Sequence, residues 1–191
     1  MSRRAARLSD LDSIDDETKC IAVVIETPKG SRTKFAYDPD REAFVVMKVL
    51  PEGMTFPFDF GFIPSTLADD GDPLDVLVLM DEPVISGSIV PSRLIGVLEA
   101  KQTEKNGKSE ENDRLIAISQ SCQLFEDVTK LSDLPGAVTE QIEKFFINYN
   151  KEEGKKFEVK GCHGRKRARE ALRDAQRAYK RRRWKEAPRV S

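Results

Sequence analysis

The chain has 191 residues, 39% of them hydrophobic and 34% charged, which suits one water-exposed domain with a sizeable core. Its formal net charge of −1 gives the molecule as a whole no electrostatic pull toward nucleic acid or membranes. No apolar run approaches bilayer-spanning length, and Cys20, Cys122 and Cys162 lack Cys-x-x-Cys spacing, as expected of free thiols in a reducing cytoplasm.

Met1 to Lys19 is polar and has no signal-peptide core. With Leu8, Leu11 and Ile14 as its main apolar side chains, it reads as a partly ordered surface helix or a frayed tail. Ile21 to Ile25 is a dense β-branched run that predicts a buried strand, ending at Glu26 before the turn-rich Thr27 to Ser31. Lys34 to Asp38 and Ala43 to Leu50 predict two more extended segments. Between Met54 and Pro64, Phe56, Phe58, Phe60 and Phe62 recur at period two, one aromatic face of an irregular core strand.

The next stretch is unusual. Leu67 to Asp75 holds four carboxylates in seven residues, punctuated by Gly71 and Pro73, and the apolar strand Val76 to Met80 follows at once. The carboxylates are expected on a tight loop at the mouth of a buried strand, where mutual repulsion calls for a cation and oxygen ligands suit a hard divalent ion. An acidic surface turn is the alternative. An EF-hand is excluded because Gly71 and Pro73 break its register, and an aspartyl-phosphate motif would follow its strand instead of preceding it.

Ser88 to Glu99 predicts a further strand and Leu115 to Ile118 its partner. The polar span Lys101 to Asp113 between them turns at Asn106-Gly107. A helix over 133–150, introduced by Ser132, carries Val138, Ile142, Phe145, Phe146 and Tyr149 on one face. Phe157 to Val159 is a short strand, and Gly161 to Gly164 a break. Arg165 to Trp184 is a second helix, with Ala168, Ala171, Leu172, Ala175 and Tyr179 in a narrow stripe and Trp184 packing its end. Many short strands followed by helices indicate a mainly β, α+β barrel or sandwich.

Asp70-Gly71-Asp72-Pro73-Leu74-Asp75-Val76 resembles the Asp-Gly-Asp-Pro-hydrophobic-Asp-Val signature of soluble family I inorganic pyrophosphatases. Val24-Ile25-Glu26, Phe56-Pro57, Gly61-Phe62-Ile63-Pro64 and Phe145-Phe146 with Tyr149 follow the same family order. The resemblance spans about residues 20 to 163. It implies an OB-like five-stranded barrel with flanking C-terminal helices, assembled as a cytoplasmic homo-oligomer (hexameric in many bacteria, dimeric elsewhere). The expected division is a polar extension (1–19), a barrel domain including helix 133–150 (20–163) and a basic C-terminal helix and tail (164–191). The implied reaction is hydrolysis of pyrophosphate to two phosphates with Mg²⁺, or with Mn²⁺ or another divalent ion. By similarity, Asp70 and Asp75 would ligate metal, and Asp72 would serve as general base beside it. Glu26 would hold outer-sphere water, while Lys34, Lys48, Arg114 and Tyr149 would grip the phosphates.

Several positions depart from the family pattern. Ala36 replaces a Glu, Lys48 an Arg, Phe56 and Phe60 two Tyr, and Asn150 a Lys. The family's second acidic cluster, Asp-x4-Asp-x-Lys, ends here in Arg114, which puts the neutral Asn112 at its second Asp. Glu104 is the nearest candidate for the first, with Asp113 or Glu111 as substitutes, so metal binding should be weaker. An inactive or substrate-shifted relative is therefore one alternative. Nucleic-acid binding is another, through Arg165-Lys166-Arg167 and Lys180-Arg181-Arg182-Arg183 on an OB-like barrel. His163 beside Cys162 reads as structural or solvent-facing, since nothing else stands at ligand spacing.

Overall fold

The computed structural model describes residues 7–186. Its strands are β1 (Ile21–Thr27), β2 (Thr33–Asp38), β3 (Ala43–Val49), β4 (Asp59–Ile63), β5 (Leu74–Leu79), β6 (Ile89–Thr103), β7 (Ser109–Glu111), β8 (Arg114–Ser119) and β9 (Lys156–Gly164). Helix α1 (Gly136–Glu152) lies between β8 and β9, and α2 (Arg165–Glu186) follows β9. Strands β1, β4, β5, β8 and β6 pair in that order, and β6 returns to β1, closing a ring of five. Only the β5–β8 pairing in the ring is parallel. This is the OB-like, mainly β arrangement that the sequence implies, with β9 and β7 added on β6 and the β2–β3 hairpin standing apart.

Alternation along the strands splits the core in two. Val23, Ile25, Ile63, Val76, Val78, Val97 and Leu115 belong to one cluster, which draws on all five ring strands and is joined by Ala168, Leu172 and Ala175 of α2. Leu77, Leu79, Ile116 and Ile118, one residue out of phase, turn to the other face against Ile142, Phe145 and Phe146 of α1. Phe58 lies in this second cluster, while Phe62 stacks on Tyr37 at 6.0 Å. Truncating a fully buried Leu or Ile at either site costs about 2–5 kcal/mol. Gly61 permits the β1–β4 contact: a Cβ there would lie 2.0 Å from the Val24 carbonyl oxygen.

Four local expectations are corrected. Helix α1 starts at Gly136, not residue 133, because the Asp133 carboxylate accepts the backbone N–H groups of Thr129 and Lys130, each at 3.1 Å, in a short 3₁₀ turn. Strand β6 continues past Glu99 to Thr103 because β7 and β9 pair with its two edges. Gly161 does not break β9: the strand runs through it with a bulge, Glu99 and Ala100 facing Gly161 and Val159. Trp184 is 84% exposed and packs no core, since α2 leaves the barrel surface after Ala175. Of the N-terminal segment, Leu8–Asp10 forms one 3₁₀ turn and Ile14 bridges to Ile21; residues 1–6 lie outside the described residues. His163, half exposed, meets Glu99 at 3.2 Å.

Candidate active site

The acidic loop is fixed before any ligand is considered. Ala68 N–H donates to Asp72 O at 2.8 Å, Gly71 N–H to Ala68 O at 3.1 Å, and Asp72 N–H to Asp70 Oδ1 at 3.0 Å. Gly71 adopts φ +93°, a conformation that Gly permits and side chains oppose. Thr66 Oγ1 receives Leu74 N–H, and Leu67 N–H reaches the Ala175 carbonyl of α2 at 3.1 Å. Asp75 is the second residue of β5, half-buried between the buried Leu74 and Val76.

These carboxylates open into a cleft of about 920 Å³ that also receives Glu26, Lys34, Lys48, Glu104, Asn112, Arg114 and Tyr149. Glu26 enters at a bulge in β1, between Ile25 and Thr27, and its Oε1 accepts Tyr37 N–H at 2.8 Å. Lys34 and Lys48 face each other across the β2–β3 hairpin. Opposed like charges weaken a hairpin, so this register has a cost that an anion between them would offset. Lys48 Nζ lies 3.7 Å from the Tyr149 ring centroid, and that ring is held by Phe56 and Phe145 at 5.9 and 5.7 Å. Burial, together with Lys34 and Lys155, lowers Lys48 to about 8, while its contact with Glu153 works in the opposite direction.

Arg114 joins the two sides. Its Nη1 is 2.7 Å from Asp75 Oδ2 and touches Asn112 Oδ1, and its guanidinium lies 5.3 Å from the Phe146 ring. Its Nε, among the described residues, is a buried donor with no hydrogen-bond partner, a place for an acceptor oxygen. Asn112 Nδ2 donates to Gln102 Oε1 at 2.9 Å, and Gln102 Nε2 to Glu104 Oε1 at 2.6 Å. The side chain beside Asn112 is thus the amide Gln102, with Glu104 one step farther out and paired to Lys155 at 3.1 Å. Asp113 and Glu111 are not brought into this cleft: Asp113 accepts Ala100 N–H at 3.2 Å, and Glu111 holds Lys160 at 2.6 Å. Asn150 directs its amide to the Phe146 carbonyl, adding no charge.

The electrostatics describe a shortage of cations around the carboxylates. Burial raises Asp70, Asp72 and Asp75 above the ordinary range, with carboxylate neighbours adding to each. Glu26 is pushed to about 7 by burial, against the Tyr37 N–H, with Asp75 and Asp72 adding to the rise. Among the described residues, no three His, Cys, Asp or Glu side chains converge closely enough to hold a metal unaided. Mg²⁺ commonly takes one or two carboxylates and completes its shell with water and substrate oxygens, so this donor set suits that mode.

Sequence reasoning missed Gln102, Glu110, Glu153, Lys155, Tyr179, Arg182 and Arg183, all of which line the cleft. Gln102 follows from letting the strand run beyond Glu99, and Tyr179 and Arg182 from their helical spacing of three. No local signal marks Lys155 or Glu153.

Comparison with known proteins agrees with this geometry. The inorganic pyrophosphatase family model matches residues 23–180. The inorganic pyrophosphatase of Thermus thermophilus is 38% identical over 92% of this chain and 99% of its own length. A soluble inorganic pyrophosphatase of Chlamydomonas reinhardtii is 34% identical over 89% of this chain and 86% of its own. The crystal structure of an inorganic pyrophosphatase from Thermus thermophilus superposes with TM-score 0.82 at 36% identity, covering 92% and 99% of the two chains. With a matching family model, such relatives and the signature loop in one cleft, the chain belongs to the soluble family I inorganic pyrophosphatases.

Proposed function

We propose that this chain hydrolyses inorganic pyrophosphate to two phosphates with Mg²⁺ as the working ion and Asp72 as general base. The observation that carries the reading is a single cleft in which Asp70, Asp72 and Asp75 oppose the Lys34–Lys48 pair and Arg114. A divalent ion held by Asp70 and Asp75 would neutralise phosphate charge and lower the pKa of bound water. The chain's own groups supply the rest. Asp72 takes the proton of the attacking water, and Glu26, joined to Tyr37 N–H, orients water behind it. Lys34, Lys48 and Tyr149 hold the leaving phosphate, while Arg114, with an unused Nε donor, binds the phosphate under attack.

Asn112 and Gln102 lend amide oxygens where a carboxylate would add charge, so metal dependence should be shifted to higher concentration. The barrel with α1 carries the chemistry, and the basic helix α2 borders it. Three free cysteines fit a cytoplasmic setting. Exposed Val46, Met47 and Val49 on β3 fit a homo-oligomer, which light scattering would reveal. The test of function is phosphate release from pyrophosphate with and without Mg²⁺, for the native chain and Asp72→Asn. Mg²⁺-dependent release that falls about 10²–10⁴-fold in the variant supports the assignment. An undiminished rate removes Asp72 as the base, and no release with any divalent ion removes the activity.

A further inference from the structure

The net charge of −1 conceals a strong segregation. Helix α2 carries eleven Lys and Arg against three Asp and Glu, a net of +8, which leaves −9 on the rest of the chain. In salt near physiological strength, exposed charges more than about 8 Å apart are largely screened, so whatever meets the outer side of α2 meets its cations. The inner side is committed: Ala168, Leu172 and Ala175 are buried against the barrel. At 3.6 residues per turn, the opposite side holds Lys166, Arg169, Arg173, Arg177, Lys180 and Trp184, spaced by three or four residues and all exposed. That row is about 27 Å long.

The two basic runs visible in the sequence are thereby divided. Arg167 is drawn to Glu99, Arg182 Nη1 reaches the Gly71 carbonyl at 3.4 Å, and the Arg183 guanidinium lies 5.9 Å from the Tyr179 ring. The outward row stays open to solvent. Among the described residues, Lys166, Arg169, Arg173 and Lys180 have no ion-pair partner, and Arg177 has only the exposed Asp174, at 3.8 Å. Trp184, the single tryptophan of the chain, ends the row with its ring in water.

We propose that the outer face of α2 binds single-stranded nucleic acid, with backbone phosphates along Lys166, Arg169, Arg173, Arg177 and Lys180 and an unpaired base stacked on Trp184. A row of cations that ends in an exposed indole suits such a strand. Its phosphates release counterions to the row, and its unpaired bases offer their faces to the ring. A duplex keeps those faces stacked inside. A bilayer surface suits the face poorly: interfacial helices bury a broad apolar side, and the apolar side of α2 is already occupied by the barrel. None of these six side chains lines the catalytic cleft, so the proposal stands apart from the hydrolytic reading.

The test is fluorescence anisotropy of a labelled oligothymidylate of about 16 nucleotides, titrated with the full-length chain while Trp184 emission is recorded. Five phosphate contacts predict a slope of about −3.5 in log K against log salt, so affinity should fall about 100-fold between about 50 and 200 mM salt. Saturating oligomer should quench the single tryptophan. Arg169→Ala/Arg173→Ala/Arg177→Ala should flatten the slope to about −1.4 and leave pyrophosphate hydrolysis and the thermal melt as in the native chain. Arg169→Lys/Arg173→Lys/Arg177→Lys should keep the native slope. Trp184→Ala, at an exposed position, should weaken binding about fivefold or more and decides the matter if the triple variant misfolds. No binding at about 50 mM salt overturns the proposal, as does a folded triple variant within about twofold of native affinity, or tryptophan emission that binding leaves unchanged. Tighter binding to a duplex, to phosphatidylserine vesicles or to polyglutamate assigns the face to another partner and overturns it too.

Discussion

Replacing Asn112 with Asp should make the enzyme bind metal more tightly and its metal-free form less stable. Asn112 Nδ2 now donates to Gln102 Oε1 at 2.9 Å, while Gln102 Nε2 is engaged by Glu104 at 2.6 Å. An aspartate would set oxygen against oxygen, and the Gln102 amide could turn only by facing its oxygen toward Glu104. Losing that buried hydrogen bond costs about 1–3 kcal/mol. For a chain of this size the melting temperature in chelator should then drop by about 2–12 °C. The gain comes with the ion. Two unit charges 4 Å apart attract by about 4 kcal/mol at an effective dielectric of 20, and a divalent ion by about twice that. Desolvation and competition from Arg114, which already touches position 112, offset most of it and leave about 1.4–2.7 kcal/mol, or about 10–100-fold. The assay is the Mg²⁺ midpoint for pyrophosphate hydrolysis, paired with melts in chelator and in Mg²⁺. A midpoint that stays put or rises would refute the idea that the amide pair weakens the metal site.

Other outcomes follow from single side chains. Phe146 is 2% exposed and meets Phe60, Phe145, Tyr149 and Phe157, so Phe146→Ala should cost about 3–5 kcal/mol in urea unfolding. A loss below about 1 kcal/mol would mean the aromatic cluster repacks. Burial lowers Lys48 to about 8 and its contact with Glu153 opposes the shift, so KM for pyrophosphate should rise as pH climbs above 8 and the ammonium is lost. Lys48→Arg keeps its charge and should remove that rise; an unchanged profile would assign it to another group. Burial and Glu143 push the Cys162 thiol to about 12, so about one molecule in 10⁴ is thiolate at pH 8. Iodoacetamide should modify it far more slowly than a free cysteine, and equal rates would contradict the burial.

The sequence exposed those parts that are local. Ile21 to Ile25 is apolar at every position because both faces of β1 are covered, and the turn of the Asp70–Asp75 loop is announced locally by Gly71 and Pro73. What escaped depends on distant partners. Lys101 to Thr103 look like a polar loop in isolation, and become strand because β7 and β9 satisfy their backbone on both edges. Gln102 consequently reaches Asn112, ten residues away, and no short-range spacing announces that pair. Trp184 misled for the opposite reason: a large aromatic suggests burial, but nothing in a helix's own pattern says where the barrel beneath it ends.

The hydrogen bond from Leu67 to the Ala175 carbonyl has a bearing on synthesis at the ribosome. Strands β1 to β8 can all emerge and close their ring before α2 exists, because the last ring strand ends at Ser119. The acidic loop, however, takes one of its anchors from a residue 108 positions after Leu67. A nascent chain could therefore close its ring of strands before the base of the acidic loop gains this anchor, which waits for α2 to dock.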